Sequence, residues 1–483
     1  MLRRTLRRTE PTVRFPTRLA GWKRSPRWER LMTPLIDVND GELLTQGLFP
    51  DLPKNQLGLW HSGRNVDFIG ASPVKTQGRT QEAGPNTGGS IFALTQGYAE
   101  GIRRVYMATQ DRLYRWEYGN LLQIGGPYNG LGYWQLEPYG NWLLATNDYD
   151  PPQVWKNGGN AGPLAGVRRP RFRLIKKHMN HVLGYFGQSV DWSHKGNVEL
   201  WEPYEDNSAG GQFIRDLDSD IIAVSRLGRN MGIYSLDKLI IQQYLGDPLY
   251  FGFTPGVENI GALSDAGIIP VANRNFGVDP KGFFVTDGIS AERIDTPRVR
   301  AWFKANINMD HARRTVGLHD EANEIVKWWF PCQDGTVKGL GFSYRKGAWG
   351  ILEMPVTAAA EHEVYDAPLL ASDNQWGFAK GLNHGPNPLS AELRSFPLDA
   401  RQRERYKQWD MLRAEFKGDI EVRFGYSDDA EAEPQWDAWR PLVRENWIHR
   451  ESVFLTLNFR SLGFNQQFQI NGFSIHGALG GYV

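Results

Sequence analysis

The sequence is poorest in cysteine, with Cys332 alone among 483 residues. One thiol permits neither an intrachain disulfide nor a cysteine-built metal cage. With no supporting motif nearby, Cys332 reads as a small buried hydrophobe and not as a nucleophile. Long apolar runs are missing too. A membrane helix needs roughly eighteen or more consecutive apolar residues, and no such run exists, so no membrane insertion by this chain is expected. The start MLRRTLRRTE resembles an organelle presequence in charge, but Glu10, Pro11 and Pro16 interrupt an amphipathic helix, and no apolar signal core follows. Secretion is not expected. Catalytic signatures are also lacking: there is no Gly-x-Ser-x-Gly elbow, no phosphate-cradling Gly-rich loop with Lys-Ser/Thr, and no His-Glu-x-x-His.

What is abundant points to strands. The chain holds 53 Gly, 28 Pro, 18 Trp, 18 Tyr and 24 Phe. Glycine and proline punctuate turns, and aromatic side chains suit a pleated, half-buried surface. The formal charge of +1 conceals an asymmetry. Residues 1–30 carry ten Lys/Arg against Glu10 and Glu29, a net of +8, while the remainder carries 45 basic and 52 acidic residues, a net of −7. A basic, Pro-broken arm on a mildly acidic body is an interaction pattern.

Residues 1–90 read as that arm followed by a turn-rich loop, GASPVKTQGRTQEAGPNTGGS, over 70–90. From residue 91 the pattern becomes short apolar-alternating runs between turn dipeptides: Asn129-Gly130, Asn157-Gly158, Asp287-Gly288, Asp334-Gly335 and Asn471-Gly472. GFFVTDGISAERI predicts a hairpin with Asp287-Gly288 at its tip, and MGIYSLDKLIIQQYLG predicts a strand pair reversing near Asp237-Lys238. A weak repeat supports blades. Tyr106–Asp111 and Leu143–Asp148 each carry an Ala-Thr pair, 37 residues apart, with looser echoes at Phe284–Asp287 and Leu370–Asp373. Such spacing fits four-stranded propeller units, and 91–395 accommodates five or six of them. Helices are predicted only at 297–306 (PRVRAWFKAN), with Pro297 in the first turn, and at 398–407 (LDARQRERYK), with Asp399 as N-cap. The period-two runs Ile420, Val422, Phe424 and Val453, Leu455, Leu457, Phe459 predict a small β-sandwich. The expected architecture is all-β: a basic N-terminal arm and loop (1–90), a β-propeller (91–395), then a linker helix and β-sandwich (396–483).

The residues that might carry chemistry do not assemble into a catalytic set. His178 and His181 in KKHMNH have helical metal-ligand spacing, but on a strand that spacing places them on opposite faces. Glu361-His362-Glu363 reads as a solvated turn. Asp148 and Asp150 flank Tyr149, and Asp216, Asp218 and Asp220 in RDLDSD share one face of an extended segment. That face suits a cation site or an acidic lining, with a solvated loop as the blander reading. No catalytic residue, metal or cofactor is expected.

The stretch Val190-Asp-Trp-Ser-His-Lys-Gly-Asn-Val-Glu-Leu-Trp201 resembles a Trp-Ser-Asp-x-Gly-x-x-x-x-Trp pattern of the tail-nozzle proteins of short-tailed bacteriophages, also called packaged-DNA stabilisation or tail-hub proteins. The resemblance continues upstream in RLIKKHMNHVLGYF and downstream in DLDSDIIA (216–223), in Met231–Gly246, and around Phe251–Gly261. Its marker residues are Trp192, Ser193, Trp201, Asp220, Tyr244 and Gly246. It covers about residues 105–300 well and the C-terminal sandwich more loosely. The chain departs from the pattern at His194, where Asp is preferred, and the basic arm has no counterpart.

The resemblance implies a non-enzymatic virion protein, made in the host cytoplasm. Such a protein assembles as a homohexameric ring that extends the portal and adaptor channel. The ring carries fibres or spikes, holds a needle or plug, retains packaged double-stranded DNA and conducts it during ejection without reading its sequence. A wall for moving DNA should not be basic, because Lys/Arg–phosphate contacts bind tightly through counterion release. The arm, through Arg3, Arg4, Arg7 and Arg8, is therefore expected to dock on an acidic protein surface of a neighbouring copy or the adaptor. Two other function classes compete. A propeller glycan hydrolase needs two carboxylates about 5–10 Å apart, and the repeated Ser-x-Asp-x-Gly-x-Thr-Trp box of sialidase-type propellers is absent. A monomeric glycan-binding propeller would show aromatic pockets repeated blade by blade.

Overall fold

The structure, a computed structural model, describes residues 34–48, 59–80, 86–131, 133–361 and 364–482. Seven four-stranded antiparallel sheets follow one another around an axis. Blade 1 comprises Ala93–Ala99, Ile102–Ala108, Leu113–Glu117 and Asn120–Gly125. Blade 2 comprises Gln135–Tyr139, Trp142–Thr146, Gln153–Trp155 and Gly162–Pro163. Blade 3 runs Leu174–His178, His181–Phe186, Ser189–Trp192 and Gly210–Phe213, and blade 4 runs Ala223–Leu227, Asn230–Tyr234, Lys238–Gly246 and Tyr250–Glu258. Blade 5 holds Ile269–Val271, Arg274–Asp279, Gly282–Thr286 and Ala291–Arg293, and blade 6 holds Val316–Asp320, Ile325–Pro331, Val337–Ser343 and Ala348–Leu352. Blade 7 takes Ala358–Ala360, Leu369–Ser372 and Gln375–Gly381 from its own stretch and Gly78–Arg79 as its fourth strand. The first strand of each blade packs against the first strands on either side, and blade 7 returns to blade 1, so the ring is closed.

The expected β-propeller is therefore present, with seven blades instead of five or six. Blade 7 is completed by Gly78–Arg79, which lies before the expected span and follows a sandwich strand in the chain. The hairpins at 282–293 and 230–246 form where the turn residues placed them. The two Ala-Thr pairs occupy equivalent places, at the ends of the second strands of blades 1 and 2.

A two-layer sandwich stands beside the ring, built from both ends of the described chain. One sheet orders Val66–Ile69, Ser72–Lys75, Gln469–Tyr482, Arg405–Lys417 and Glu445–Ser452, with Pro34–Val38 also on Gln469–Tyr482. The other orders Trp60–Arg64, Ala391–Ser395, Phe454–Ser461, Glu421–Ser427 and Gln435–Trp436, with Arg440–Pro441 on Glu421–Ser427. The alternation read in the sequence now has its cause. Val422, Phe424, Leu455, Leu457 and Phe459 are all fully buried, and they pack with Trp60, Trp409 and Ile475 in one core. The described residues among 34–79 thus contribute strands to this sandwich and to blade 7, and are not part of an arm.

Two local expectations fail. The helix Pro297–Asn306 is present, with Thr296 capping the Val299 N–H and Pro297 at its start. Residues 398–407, by contrast, contain no helix. Asp399 accepts from the Arg401 N–H (2.8 Å) and Arg403 Nε (2.9 Å), closing a turn in which Ala400 and Arg401 take φ of 50° and 59°. Such left-handed backbone cannot begin a right-handed helix, and the strand Arg405–Lys417 follows directly. Likewise Asn471-Gly472 is no turn. It lies inside Gln469–Tyr482, where a Cβ on Gly472 would sit 2.4 Å from Asn39 Oδ1.

Candidate functional site

The first strands of the seven blades run in the same direction around the axis, so the residues just before them form one mouth of the axial channel. Every blade contributes. Phe92 leads blade 1, Tyr133–Gln135 blade 2, Arg173 blade 3, Ile222 blade 4, Asp265 and Ala266 blade 5, Arg313–Val316 blade 6 and Thr357 blade 7, around a cavity of about 90 Å³. An innermost strand presents unpaired backbone donors toward the axis. Polar side chains satisfy several of these. Gln135 Oε1 accepts the Ile175 N–H (2.7 Å) and Asp265 Oδ1 accepts the Val224 N–H (2.9 Å); Gln96 Oε1 accepts the Val364 and Tyr365 N–H groups of the connection after the first strand of blade 7 (3.1 and 3.0 Å). Asp265 Oδ2 also meets Lys176 Nζ at 2.9 Å and Gln135 Nε2 at 3.1 Å.

Three arginines stand at this mouth. Arg313 pairs with Asp148 at 3.1 Å and lies 4.3 Å above the Tyr133 ring. Arg314 lies over Phe92 (4.7 Å) and Tyr133 (5.7 Å) and donates to the Leu131 carbonyl at 3.0 Å. Arg173 reaches Asp220 only at 4.0 Å, and burial, followed by the like charge of Arg313, lowers its guanidinium pKa. Deeper along the channel, a second cavity of about 560 Å³ is lined by Lys176, Lys177, His178, Arg226 and Arg229 with Glu137 and Asp265. The axis of the propeller is therefore basic although the body of the chain is acidic. Nothing in the sequence marked Arg173, Arg313 and Arg314 as a group, because 140 residues separate the first two and only ring closure brings them together.

The residues singled out in the sequence lie elsewhere or in structural roles. His178 and His181 are not on opposite faces of one strand. They face each other across a two-residue hairpin whose Met179 and Asn180 take φ of 50° and 65°. Three of their four ring nitrogens are engaged: His178 Nδ1 with Gln242 (3.1 Å), His178 Nε2 with the Arg229 carbonyl (3.1 Å), and His181 Nδ1 with the Ser193 carbonyl (2.8 Å), while His181 Nε2 is buried without a partner among the described residues. Burial holds both imidazoles below the ordinary histidine pKa. Asp148 serves Arg313, and Asp150 accepts from Asn147 (2.8 Å) and Asn129 (3.2 Å). Asp216, Asp218 and Asp220 are exposed, and Lys238 approaches Asp218 at 3.4 Å. Among the described residues no group of three or more His, Cys, Asp or Glu gathers as a metal ion would require. Cys332 is buried, and burial raises its thiol pKa. Arg3, Arg4, Arg7, Arg8, His362 and Glu363 lie outside the described residues.

The marker residues of the resemblance hold blades 3 and 4. Trp192 donates to the Ser208 carbonyl (2.9 Å) and meets Phe251 edge-on at 5.2 Å. Fully buried Ser193 exchanges backbone and side-chain hydrogen bonds with Val182. Trp201, also fully buried, stacks near Phe172 at 5.3 Å. Together they pin the long connection between the third and fourth strands of blade 3. His194 does there what a carboxylate would do: its Nδ1 accepts from the Ser208 N–H and Oγ, each at 3.1 Å. Tyr244 joins Phe251 at 5.5 Å, and Gly246 ends its strand with φ of 80°. Asp220, the exception, points toward Arg173 at the axial mouth.

No family model and no curated protein matches the chain. Among solved structures it is similar to the β-propeller domain of Cps50 (Swd1) from Myceliophteria thermophila at 12% identity and a TM-score of 0.31. That match covers 58% of this chain and 79% of that one. It is also similar to Sqt1 from Saccharomyces cerevisiae at 12% identity and a TM-score of 0.37, covering 66% and 96% respectively. Both are likenesses of fold.

Proposed function

We propose that the chain is a structural subunit of a short-tailed bacteriophage tail, forming the nozzle ring that extends the portal and adaptor channel and conducts DNA. The observation that supports this most is where the nozzle-like segments fall. Residues 190–201, 216–223 and 231–246 form successive parts of blades 3 and 4, and their marker residues serve packing and loop anchoring. A nozzle wall asks for such roles: its work lies in shape and interfaces, not in turnover. The hairpin of Lys238–Gly246 and Tyr250–Glu258 has the longest paired strands of the propeller, nine residues each, and its tip carries Leu245 and Leu249 at 52% and 66% exposure. Two exposed leucines on a projecting tip suit a heterologous contact with the next copy, the contact type that closes a ring.

In this reading DNA passes between copies and not through the propeller. A mouth of about 90 Å³ admits no duplex, and a basic axis would hold phosphate. The basic arm, outside the described residues, is assigned to an acidic protein neighbour, the adaptor or the next copy. Light scattering with negative-stain imaging of the purified chain, alone and with its portal and adaptor, tests the reading. A closed ring, six copies in the nozzle pattern, is the expected result. A chain that stays monomeric with these partners and cleaves or captures glycans overturns it.

A further inference from the structure

We propose that the axial mouth where the seven inner strands begin is a binding site for a small dianionic oxyanion of the phosphate class, held by Arg173, Arg313 and Arg314. The charge balance is the first argument. Arg313 is matched by Asp148 at 3.1 Å, and the one carboxylate lining the cavity, Asp265, is matched by Lys176 at 2.9 Å. Arg314 has no carboxylate partner among the described residues, and Arg173 has only the mostly exposed Asp220 at 4.0 Å. Two guanidinium groups therefore stand at one cavity without a close carboxylate, Arg173 being offset only in part by Asp148, Asp220 and Asp265. A phosphate group carries about −1.5 to −2 near neutral pH, whereas a carboxylate would leave one of them unmatched.

Unused donors are the second argument. Arg173 Nε is buried and has no hydrogen-bond partner among the described residues. Leaving such a donor unsatisfied costs about 1–3 kcal/mol, more when it is charged. The aromatic floor is the third. Tyr133 and Phe92 lie against Arg313 and Arg314, and the N–H groups not given to Asp148 or the Leu131 carbonyl can meet an oxyanion. Burial and Arg313 both disfavour the charged form of Arg173, and an anion beside it would offset the second effect. The cavity, about 90 Å³, suits one oxyanion group and not a chain of them. Because all seven blades line it, occupancy would tie the ring together at its axis.

The site does not depend on ring assembly by the chain, so its test stands apart from the nozzle reading. Titration of the full chain with inorganic phosphate at low ionic strength is followed by calorimetry and by the fluorescence of Trp134, which lines the mouth. Saturable binding is expected. Loss of one charge-assisted hydrogen bond to the anion corresponds to about tenfold in affinity, so Arg314→Gln and Arg173→Gln should each weaken phosphate binding by that order. Arg423→Gln, on the sandwich, should change nothing. Arg314 is exposed, so its replacement does not endanger folding, and thermal melting checks the variant at half-buried Arg173. Acetate should bind much more weakly. The proposal is overturned by absence of saturable phosphate binding, by undiminished binding to Arg314→Gln, or by acetate binding as tightly as phosphate. Duplex DNA binding that is lost in these variants while free phosphate does not bind would also overturn it, in favour of a polymer-contact surface.

Discussion

The propeller and the sandwich bury their cores by opposite routes through the sequence. In blades 1 to 6 the four strands are consecutive, so each sheet forms from a local stretch. In the sandwich, strands from residues 34–75 pair with or pack on strands from 391–482, and neither sheet exists without both ends of the chain. Blade 7 lies between these cases, with three local strands and one brought from Gly78–Arg79. The stretch 60–79 therefore serves twice, supplying three strands to the sandwich and the closing strand to the ring. Loop closure is entropically costly before distant contacts repay it. The difference teaches that damage within blades 1 to 6 should stay local, while damage at the 60–79 seam should loosen propeller and sandwich together.

The largest effect is expected at the buried ion pair that crosses this seam. Lys327 of blade 6 meets Asp67 of the sandwich at 2.7 Å, and Thr76 hydrogen-bonds both, at 2.9 and 2.7 Å. Removing one partner strands a buried charge, so Lys327→Met should cost about 3–5 kcal/mol. Pairing it with Asp67→Leu should recover much of that loss. Hydrogen exchange should rise in both bodies. A rise confined to blade 6 would break the comparison.

Next comes a pH effect at the same seam. His384 lines a cleft between blade 7 and the sandwich, beside Arg79, and burial followed by the Arg79 charge pushes its pKa down from 6.5 to about 4. The unfolded chain binds this proton more readily than the folded one. The contribution to stability is thus complete above pH 6.5 and is lost as pH falls through the interval down to about 4, on the order of 3 kcal/mol. In thermal melts from pH 7 to pH 4 the wild type should lose more stability than His384→Gln as pH falls, because the variant lacks this slope. A smaller loss is expected for Gly78→Ala. A Cβ there would sit 2.2 Å from the Asn383 carbonyl oxygen, and overpacking of this kind costs about 1–3 kcal/mol. Limited proteolysis should then open blade 7 and the sandwich before any other blade.

The same contrast explains what could be read from the sequence. Strand alternation, the Asp287-Gly288 hairpin and the Pro297 helix were legible because each is decided by neighbours within a few residues. The sandwich face of Val422, Phe424, Leu455 and Leu457 was legible for the same reason, but its partners near residues 60–75 were not. Those residues look like loop because proline and glycine interrupt them, and only pairing with the far end of the chain makes strands of them. The closing strand of blade 7 was missed on the same ground. The axial arginines were invisible because a ring, unlike a strand or helix, gives no sequence period to the residues at its mouth. His178 and His181 misled because Met179-Asn180 makes a tight turn without glycine.

The smallest effect should come from the local side of the comparison. His194 lies in the connection of blade 3 and accepts two hydrogen bonds from Ser208, which in turn accepts the Lys195 N–H at 2.9 Å. All of these groups lie within residues 194–208, and no strand of another blade is involved. His194→Ala removes one acceptor and should cost about 1 kcal/mol. His194→Asp restores a short acceptor at the same place and should recover most of it, with a gain above the carboxylate's own pKa because an ionised oxygen accepts more strongly. In both variants hydrogen exchange should rise only around residues 193–209, with blades 6 and 7 and the sandwich unchanged. Spread of the effect to the seam would mean that blades couple around the ring as strongly as the ends of the chain do, and the division between local propeller and non-local sandwich would fall.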